Sequence, residues 1–549
     1  MSNNNRKYPD LHDHLAALKK AGLLLTIDRA IDKDAEMHPL VRWQYVGGIE
    51  HEERKAFLFT NVVDGKGRKY KFPVAVGALA ASPAVYLQGM QCVAEEVEKR
   101  WNDATANPIP PRVVMNAACQ EVIIEGDALK HDGNGLDSIP IPISTPGFDS
   151  TPTLTATNVI TKDPDSGIQN HGTYRAGLKA ADRLVIRMAT RTGGAGGYRH
   201  YVKHQQRGDK EMPCAIALGC PPCVAYVAQM KLPIDVDEIG VAGGLAGAPI
   251  NVVKARTVDL MVPAEAEIVI EGYCDTEYLE PEGPFGESHG HVALEEFNIP
   301  MRVTAITHRK DAVVASYLSQ VTPSESSAIK LVSYEPMFLN HLRKTLGIRG
   351  VKRVKLHERL TALRRIIIIV LEKNTPRTEI WRALQGASAF RADCGKICIA
   401  VDEDIDPENS DAIFWAMAFR MNPVDDLQVI NYRSPGHGPE LQAWTDAFMA
   451  SLSTPETADE RRLRHAAATA RRRALLQMHE LRPQRLSAHF AGHDGAGAQG
   501  RTGLAGHAHQ LAVQALHGAG RFPRGRRIGG RSHPPRGVRR GWPARAQPA

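Results

Sequence analysis

Residues 265–309 read EAEIVIEGYCDTEYLEPEGPFGESHGHVALEEFNIPMRVTAITHR, and they set a stiff turn carrying two glutamates between two strand-like runs. EAEIVIEGY and PMRVTAITHR are rich in the β-branched residues that suit extended chain. Between them lies EPEGPFGESHGH at 280–291, with Glu282 and Glu287 on either side of Gly-Pro-Phe-Gly. Pro284 fixes one backbone angle, and Gly283 and Gly286 permit tight or left-handed geometry, so both acids can be aimed at one point. Two acids held close push their pKa values apart, and the proton that one retains is available for general acid work near neutral pH. A solvated surface turn uses the same residues, so the surrounding chain has to decide.

Similar short β-rich runs precede this stretch: CQEVIIEGDALK, TLTATNVITKD, GTYRAGLKA, RLVIRMAT, PCAIALGC and NVVKARTVDLMVP. Many strands at close spacing with few helices predict a sheet closed on itself, a barrel over residues 111–315. Before it, Asp10 reads as the N-cap of a helix with Leu11, Leu15 and Leu18 at i, i+4 and i+7. The strand runs LLLTIDRAID, AFLFTNVVDG and KFPVAVGALA follow, giving a small N-terminal α/β region over 1–110. After it, the helix EPMFLNHLRKTLG leads into RRIIIIVLE, TEIWRALQGA, GKICIAVDEDID, NSDAIFWAMAFRM and DLQVINYR, which alternate strand and helix. That alternation predicts a C-terminal α/β domain over 316–439, so the whole is a mixed α+β and α/β multidomain chain.

A chain of 549 residues, 43% hydrophobic and 23% charged, is long enough for several cores and ordinary in composition. No apolar run approaches the length of a spanning helix, and MSNNNRKYPD lacks the apolar core of a secretory signal, so a cytoplasmic protein without a membrane anchor is expected. Eight scattered cysteines fit reduced thiols. Cys220-Pro-Pro-Cys223 has metal or redox spacing, but its flanks AIALG and VAYVA read as strand and it has no second pair, which favours structural thiols. The net charge of +7 belongs to the tail: residues 440–549 hold 18 Arg, no Lys and 7 acidic residues, and the rest is mildly acidic. This Arg-rich low-complexity tail reads as poorly ordered. The abrupt loss of Lys favours a stretch with no selected fold over a polyanion-binding arm, and no specific nucleic-acid partner is expected.

Several polar residues stand out in the β-rich middle. Asn170 and Arg175 fall in QNHGTYRAG, where a fixed guanidinium leaving a sheet can grip a planar carboxylate. Glu238 precedes the small-residue run of PIDVDEIGVAGG. His200 and His204 in YRHYVKH have the i, i+4 spacing of two metal ligands on one helical face, though exposed His pairs are common. TGGAGG at 192–197 lacks a strand-loop-helix context and reads as a flexible turn.

Together, NHGTYR, GCPP, DEIGVAGGLAGAPINVVKARTVDLMVPAEAEIVIEG, PEGPFGESHG, GKICIAVDEDIDPEN and GHGP, in this order and at these distances, resemble the UbiD family of prenylated-flavin-dependent decarboxylases. The resemblance runs from about residue 10 to 439. It implies a split β-barrel that binds prenylated FMN, with a divalent metal, usually manganese, and potassium. It also implies a C-terminal domain that assembles a homodimer or homohexamer, and a flavin prenyltransferase that supplies the cofactor. The family's catalytic residues fall on Arg175, Glu282 and Glu287: Arg175 would hold the substrate carboxylate and Glu287 would donate the proton that replaces CO₂. Asn170 and Glu238 match metal-holding positions, and the third ligand, a histidine, falls on His200 or His204, with His200 preferred. Thr173, Tyr174 and Met230 match the cofactor-binding stretches, and Lys396 sits where a basic residue near the cofactor lies. The implied reaction is reversible, non-oxidative decarboxylation of an aromatic or α,β-unsaturated carboxylic acid. Two other readings compete: a split-barrel flavoprotein doing redox chemistry, and an inactive family member with a polyanion-binding tail. The match ends at Pro439.

Overall fold

Asp10 accepts a hydrogen bond from the Asp13 amide at 2.9 Å while Asp13 answers on the Asp10 amide, a reciprocal cap that starts the helix Leu11–Lys20. Leu11, Leu15 and Leu18 fall on its buried face, as their spacing requires. In this computed structural model the described residues are 6–430, apart from 132, 189–194, 231, 234–235, 291, 294–296, 360, 362, 364 and 392–393. The tail at 440–549, the GHGP motif and the first half of TGGAGG, residues 192–194, therefore lie outside the described residues. The architecture is a mixed α+β multidomain one with several separate sheets. Its first large sheet orders Leu24–Ile27, Ala56–Phe59, Val74–Val76 and Val314–Ser316. The last of these arrives from beyond the middle of the chain to pair in parallel with Val74–Val76, so the N-terminal region is completed from outside itself.

The middle of the chain forms a ten-stranded sheet. Its main path runs Gln169–Gly172, Thr157–Lys162, Glu211–Leu218, Ile268–Asp275, Phe297–His308, Arg183–Ile186, Ala176–Ala180, Thr153–Leu154, with Val122–Glu125 and Glu280–Pro281 also pairing on Phe297–His308. Alternate residues enter two different cores: Val159, Ile216, Ile268 and Ile270 pack on one face, and Ile160, Ala215, Ala217 and Val269 on the other. Burial on both faces is why these strands read as near-continuous apolar runs.

Chain connectivity forces this sheet to curl. In a flat sheet the six spacings between Gln169–Gly172 and Ala176–Ala180 would amount to roughly 29 Å. Only residues 173–175 join those strands, a link that reaches about 14 Å at most. The two-residue link between Thr153–Leu154 and Thr157–Lys162 imposes the same condition. The two ends of the sheet are thus drawn together along a seam. The expectation of a sheet closed on itself needs one correction, because among the described residues the two end strands pair only with their inner neighbours. Short links and side chains hold the seam instead: Thr157 Oγ1 donates to the Tyr174 carbonyl at 2.6 Å and accepts from the Tyr174 amide at 3.2 Å.

The C-terminal part places Ile366–Leu371 between Val351–Leu356, antiparallel, and Ile397–Asp402, parallel, with the helix Arg377–Phe390 as the crossover. Its leading helix, Glu325–Asn340, starts at the Ser324 cap. Buried Glu325 reaches back to accept the Gly77 and Leu79 amides, each at 2.9 Å, and burial lifts its pKa to about 7.

Two predicted strands are corrected. VAYVA lies in a helix, Pro222–Ala228, because Pro221 and Pro222 set the backbone for a first helical turn where no amide donor is needed. DLQVINYR is not a strand where it is described: Asn422 caps the short helix Pro423–Asp426, and residues 427–430 continue without strand pairing. All eight cysteines are free, and burial pushes the Cys220 and Cys223 thiols up to about 12, which makes them inert. Among the described residues no helix is long and apolar enough to cross a membrane.

Gly272 lies at a register shift between the central strands Ile268–Asp275 and Phe297–His308, and a Cβ there would overlap the Arg302 carbonyl. Gly272→Ala is expected to cost roughly 1–3 kcal/mol, read as a lowered denaturant midpoint. An unchanged midpoint would show that the bulge can widen freely.

Candidate active site at the seam

Arg175 sits in the link across the seam, immediately before Ala176–Ala180. Its guanidinium binds Glu282 through two parallel bonds, Nε to Oε1 and Nη2 to Oε2 (2.9 Å for the second), while Nη1 donates to Glu287 Oε1 at 2.5 Å. The ring of Phe285, from the same turn as the acids, lies 4.2 Å from the guanidinium carbon. Glu282 and Glu287 are both buried, at 4% and 6% exposure, which excludes the solvated-turn reading. Burial alone would lower the Arg175 pKa, but the charge of Glu287 and the bonds of Glu282 outweigh it and raise the value overall.

The turn owes its shape to its glycines and to the facing segment 145–150. Gly283 has φ +91°, and a Cβ there would overlap Ser150 Oγ; a Cβ on Gly286 would come within 2.7 Å of Thr145 Oγ1. The Gly286 amide donates to Asp149 Oδ1 at 2.6 Å, and the Ser150 amide to the Pro284 carbonyl at 3.1 Å. Burial raises the Asp149 pKa despite the amides that it accepts. The two acids are therefore held by backbone geometry as well as by Arg175.

Three further participants went unread in the sequence. Arg187 donates from Nη1 to Glu287 Oε1 at 2.9 Å, and its Nε is 3.7 Å from Glu282 Oε2. Asn298 Nδ2 donates to Glu282 Oε2 at 3.1 Å, and Lys179 Nζ to the Pro281 carbonyl at 2.6 Å. A signal for Arg187 existed: GTYRAGLKA and RLVIRMAT form a hairpin pairing Ala176 with Ile186, so Arg175 and Arg187 face each other, and the Arg187 amide donates to the Arg175 carbonyl at 3.0 Å.

A second polar group lies at the edge strand Gln169–Gly172. Asn170 Nδ2 donates to Glu238 Oε1 at 2.6 Å, and Tyr174 OH donates to Asn170 Oδ1 at 3.0 Å. Glu238 opens the helix Glu238–Ala246 and is buried, which lifts its pKa to about 7 against its hydrogen bonds. Gly196, at the start of the helix Gly196–Arg207, packs where a Cβ would collide with Asn170. On that helix His200 is buried, and its Nδ1 lies 2.9 Å from Thr161 Oγ1. Thr161 stands opposite Asn170 in the strand register. His204, one turn on, pairs with Asp209 at 2.8 Å. Among the described residues no three His, Cys, Asp or Glu side chains gather as a metal-binding group. Of the expected set, Asn170 and Glu238 are in direct contact through amide and carboxylate, while His200 turns to Thr161, with Nε2 at 4.0 Å from Asp163. Burial lowers the His200 pKa to about 4, so its ring is neutral.

The Thr173 amide donates to the Ala228 carbonyl at 2.9 Å, which brings the seam link against the end of Pro222–Ala228, next to buried Met230. Lys396 stands elsewhere, exposed just before Ile397–Asp402 in the C-terminal sheet.

Residues 112–321 match the 3-octaprenyl-4-hydroxybenzoate carboxy-lyase Rift-related domain, and residues 331–437 match the C-terminal domain of the same carboxy-lyase. The chain belongs to the UbiD family. An evolved dimeric form of the UbiD-class enzyme HmfF from Pelotomaculum thermopropionicum, in complex with prFMN, is 29% identical; the match covers 77% of this chain and 92% of that one, with a TM-score of 0.67. The apo 3,4-dihydroxybenzoic acid decarboxylase of Enterobacter cloacae is 26% identical over 76% of this chain and 86% of its own, with a TM-score of 0.66. Vanillic acid decarboxylase of Sedimentibacter hydroxybenzoicus, 21% identical with a TM-score of 0.65 over 81% of this chain and 99% of its own, shares the fold. As a UbiD-family member the chain is a carboxy-lyase.

Gly283→Ala places a side chain at a left-handed φ and against Ser150 at once. A stability loss of about 1–3 kcal/mol is expected, together with a fall in CO₂ release as the acids shift off Arg175. Thermal unfolding and gas evolution measure the two effects, and wild-type values in both would show that the turn does not set the acids' positions.

Proposed function

We propose that this UbiD-family chain is a prenylated-FMN-dependent, reversible, non-oxidative decarboxylase of an aromatic or α,β-unsaturated carboxylic acid. The observation that carries the reading is the buried contact of Arg175 with both Glu282 and Glu287, acids that lie more than a hundred residues further along the chain. A redox flavoprotein of split-barrel type would leave that cluster without a task.

The residues around the seam fit the cofactor. Thr173 Oγ1 is buried without a hydrogen-bond partner, and such an orphaned group is costly unless a ligand satisfies it. It lies where the Thr173 amide meets the end of Pro222–Ala228, beside Tyr174 and Met230. Asn170 and Glu238 supply the oxygen donors that a hard divalent ion such as Mn²⁺ prefers, and His200 is the nearer imidazole through Thr161. They would hold that ion against the cofactor's phosphate. Potassium is the second ion the resemblance implies. When bound, prenylated FMN supplies an electron sink for the pair released as CO₂ departs.

The chain's own residues do the rest. The fixed charge of Arg175 makes the seam attractive to a carboxylate, and its two-pronged grip on Glu282 keeps the guanidinium plane aligned. Phe285 covers that plane and limits access of water, which strengthens each charge interaction in the pocket. Glu287 is bound to Arg175 through a single oxygen and delivers the proton that replaces CO₂. A flavin prenyltransferase as supplier, a homodimer or homohexamer as the assembly and a cytoplasmic location complete the proposal.

Two experiments check it after co-expression with a flavin prenyltransferase. Glu287→Gln is expected to lose CO₂ release from cinnamate-like and hydroxybenzoate-like acids by about 10²–10⁴-fold while the visible flavin spectrum stays unchanged; wild-type turnover in that variant would remove Glu287 as the acid. Glu238→Ala is expected to purify with less flavin and less bound manganese per chain, and full retention of both would remove Glu238 from the cofactor site.

A further inference from the structure

Tyr174 spans the distance between the two polar groups of the seam. In extended chain, positions 170, 172 and 174 share a face, and the first and last lie about 13 Å apart. Gly172 leaves the position between them bare, and a Cβ there would overlap the Tyr174 ring. The tyrosine therefore leans back over Gly172, and its hydroxyl donates to Asn170 Oδ1 at 3.0 Å. Gly197, on the facing helix, closes the slot: a Cβ there would come within 3.1 Å of the ring, and its amide donates to the hydroxyl at 3.4 Å. The Tyr174 backbone is clasped on both its amide and its carbonyl by the Thr157 hydroxyl. Ring, hydroxyl and main chain are each fixed from a different element.

The other end of the Asn170 amide goes to Glu238. An ionised carboxylate only accepts, so it selects Nδ2, which donates to Glu238 Oε1 at 2.6 Å. Glu238 is anchored in turn, because its Oε2 accepts the His171 amide at 3.3 Å. With a donor on its oxygen and an acceptor on its nitrogen, the Asn170 amide is held against turning end for end. An amide oxygen has two acceptor sites, so Oδ1 keeps one open beside the tyrosine. We propose that Tyr174 is a positioning residue, whose hydroxyl holds the oxygen end of Asn170 in place for a divalent cation. The inference rests on the reading of Asn170 and Glu238 as the oxygen donors of the cofactor site. Without the hydroxyl the amide is free to turn, and in half of its orientations it presents N–H groups, which repel a cation, where an oxygen is needed. Because Arg175 is the next residue along the chain, the clasp that seats the tyrosine also fixes the backbone from which the guanidinium leaves.

Manganese titration of the cofactor-loaded full chain, stripped of metal with a chelator and followed by the electron paramagnetic resonance signal of free Mn²⁺, tests this as a double-mutant cycle. Tyr174→Phe keeps the ring in its slot and removes only the hydroxyl. It is expected to bind Mn²⁺ about threefold to tenfold more weakly, the worth of one hydrogen bond. Asn170→Asp makes the two ends of the side chain alike, so in that background Tyr174→Phe is expected to cost no Mn²⁺ affinity. Equal losses in the two backgrounds, the mark of a merely structural tyrosine, overturn the inference, and so does wild-type Mn²⁺ affinity in Tyr174→Phe. Glu238→Ala separates the inference from the reading beneath it. Loss of Mn²⁺ in Glu238→Ala beside an unaffected Tyr174→Phe overturns the positioning role alone, whereas wild-type Mn²⁺ affinity in Glu238→Ala removes the ion site and the inference with it.

Discussion

Burying two guanidiniums and two carboxylates together is the constraint on which the seam depends. Each charge is expensive to remove from water, and in a buried cluster the cost is offset only when every group has a partner in good geometry. Arg175, Arg187, Glu282 and Glu287 meet that condition mutually, with Asn298 filling a remaining acceptor. Replacing any one of the four leaves an uncompensated charge in a poorly hydrated place. The cluster is thus an unfavourable way to gain stability and a favourable way to hold a reactive arrangement.

The fold meets this constraint through connectivity. A sheet that is wide along its path but joined by two- and three-residue links has to roll, and the rolling brings the 173–175 link beside the hairpin end at Arg187 and the turn at 282–287. Asn170 lies on the edge strand that enters this link and Arg175 lies within it, so one short piece of chain spans both polar groups. In the proposed site the cofactor would be held from both groups, Asn170 and Glu238 on one side and Arg175 and Glu287 on the other. Gly196 stands where a side chain would collide with Asn170, and Gly283 and Gly286 stand where one would push the turn bearing the acids off Ser150 and Thr145.

Much of this was legible in the chain. The strand runs of the middle region and the capped first helix were marked by periodicity and capping residues. The pairing of Glu282 with Glu287 followed from the rigidity of Gly-Pro-Phe-Gly, and their meeting with Arg175 from the resemblance. The helix at VAYVA was missed because a short, fully buried apolar segment has no polar face to reveal its period. The seam was also hidden, since strand order depends on which distant segments pair. Arg187 was masked for the same reason: it ends a run that reads as strand, and only the hairpin register sets it against Arg175. Asp149 gave no local sign, because its task is to accept an amide from a turn more than a hundred residues away.

The kind of partner separates the site's acids from the other buried glutamates. Glu325 and Glu271 are held by backbone amides, Gly77 and Leu79 for the first and Arg256 and Thr257 for the second. Glu265 is shared by Tyr8 and Asn251. Glu267 joins Arg309 but also accepts the Val313 amide and contacts His12, so it is fixed from several sides. An amide donor belongs to a strand or turn and cannot leave without local unfolding, so those carboxylates are structural clamps. A guanidinium at the end of a long side chain can trade one carboxylate for another of the same shape and charge. Glu287, whose Oε1 accepts from both Arg175 and Arg187, is held in this second way.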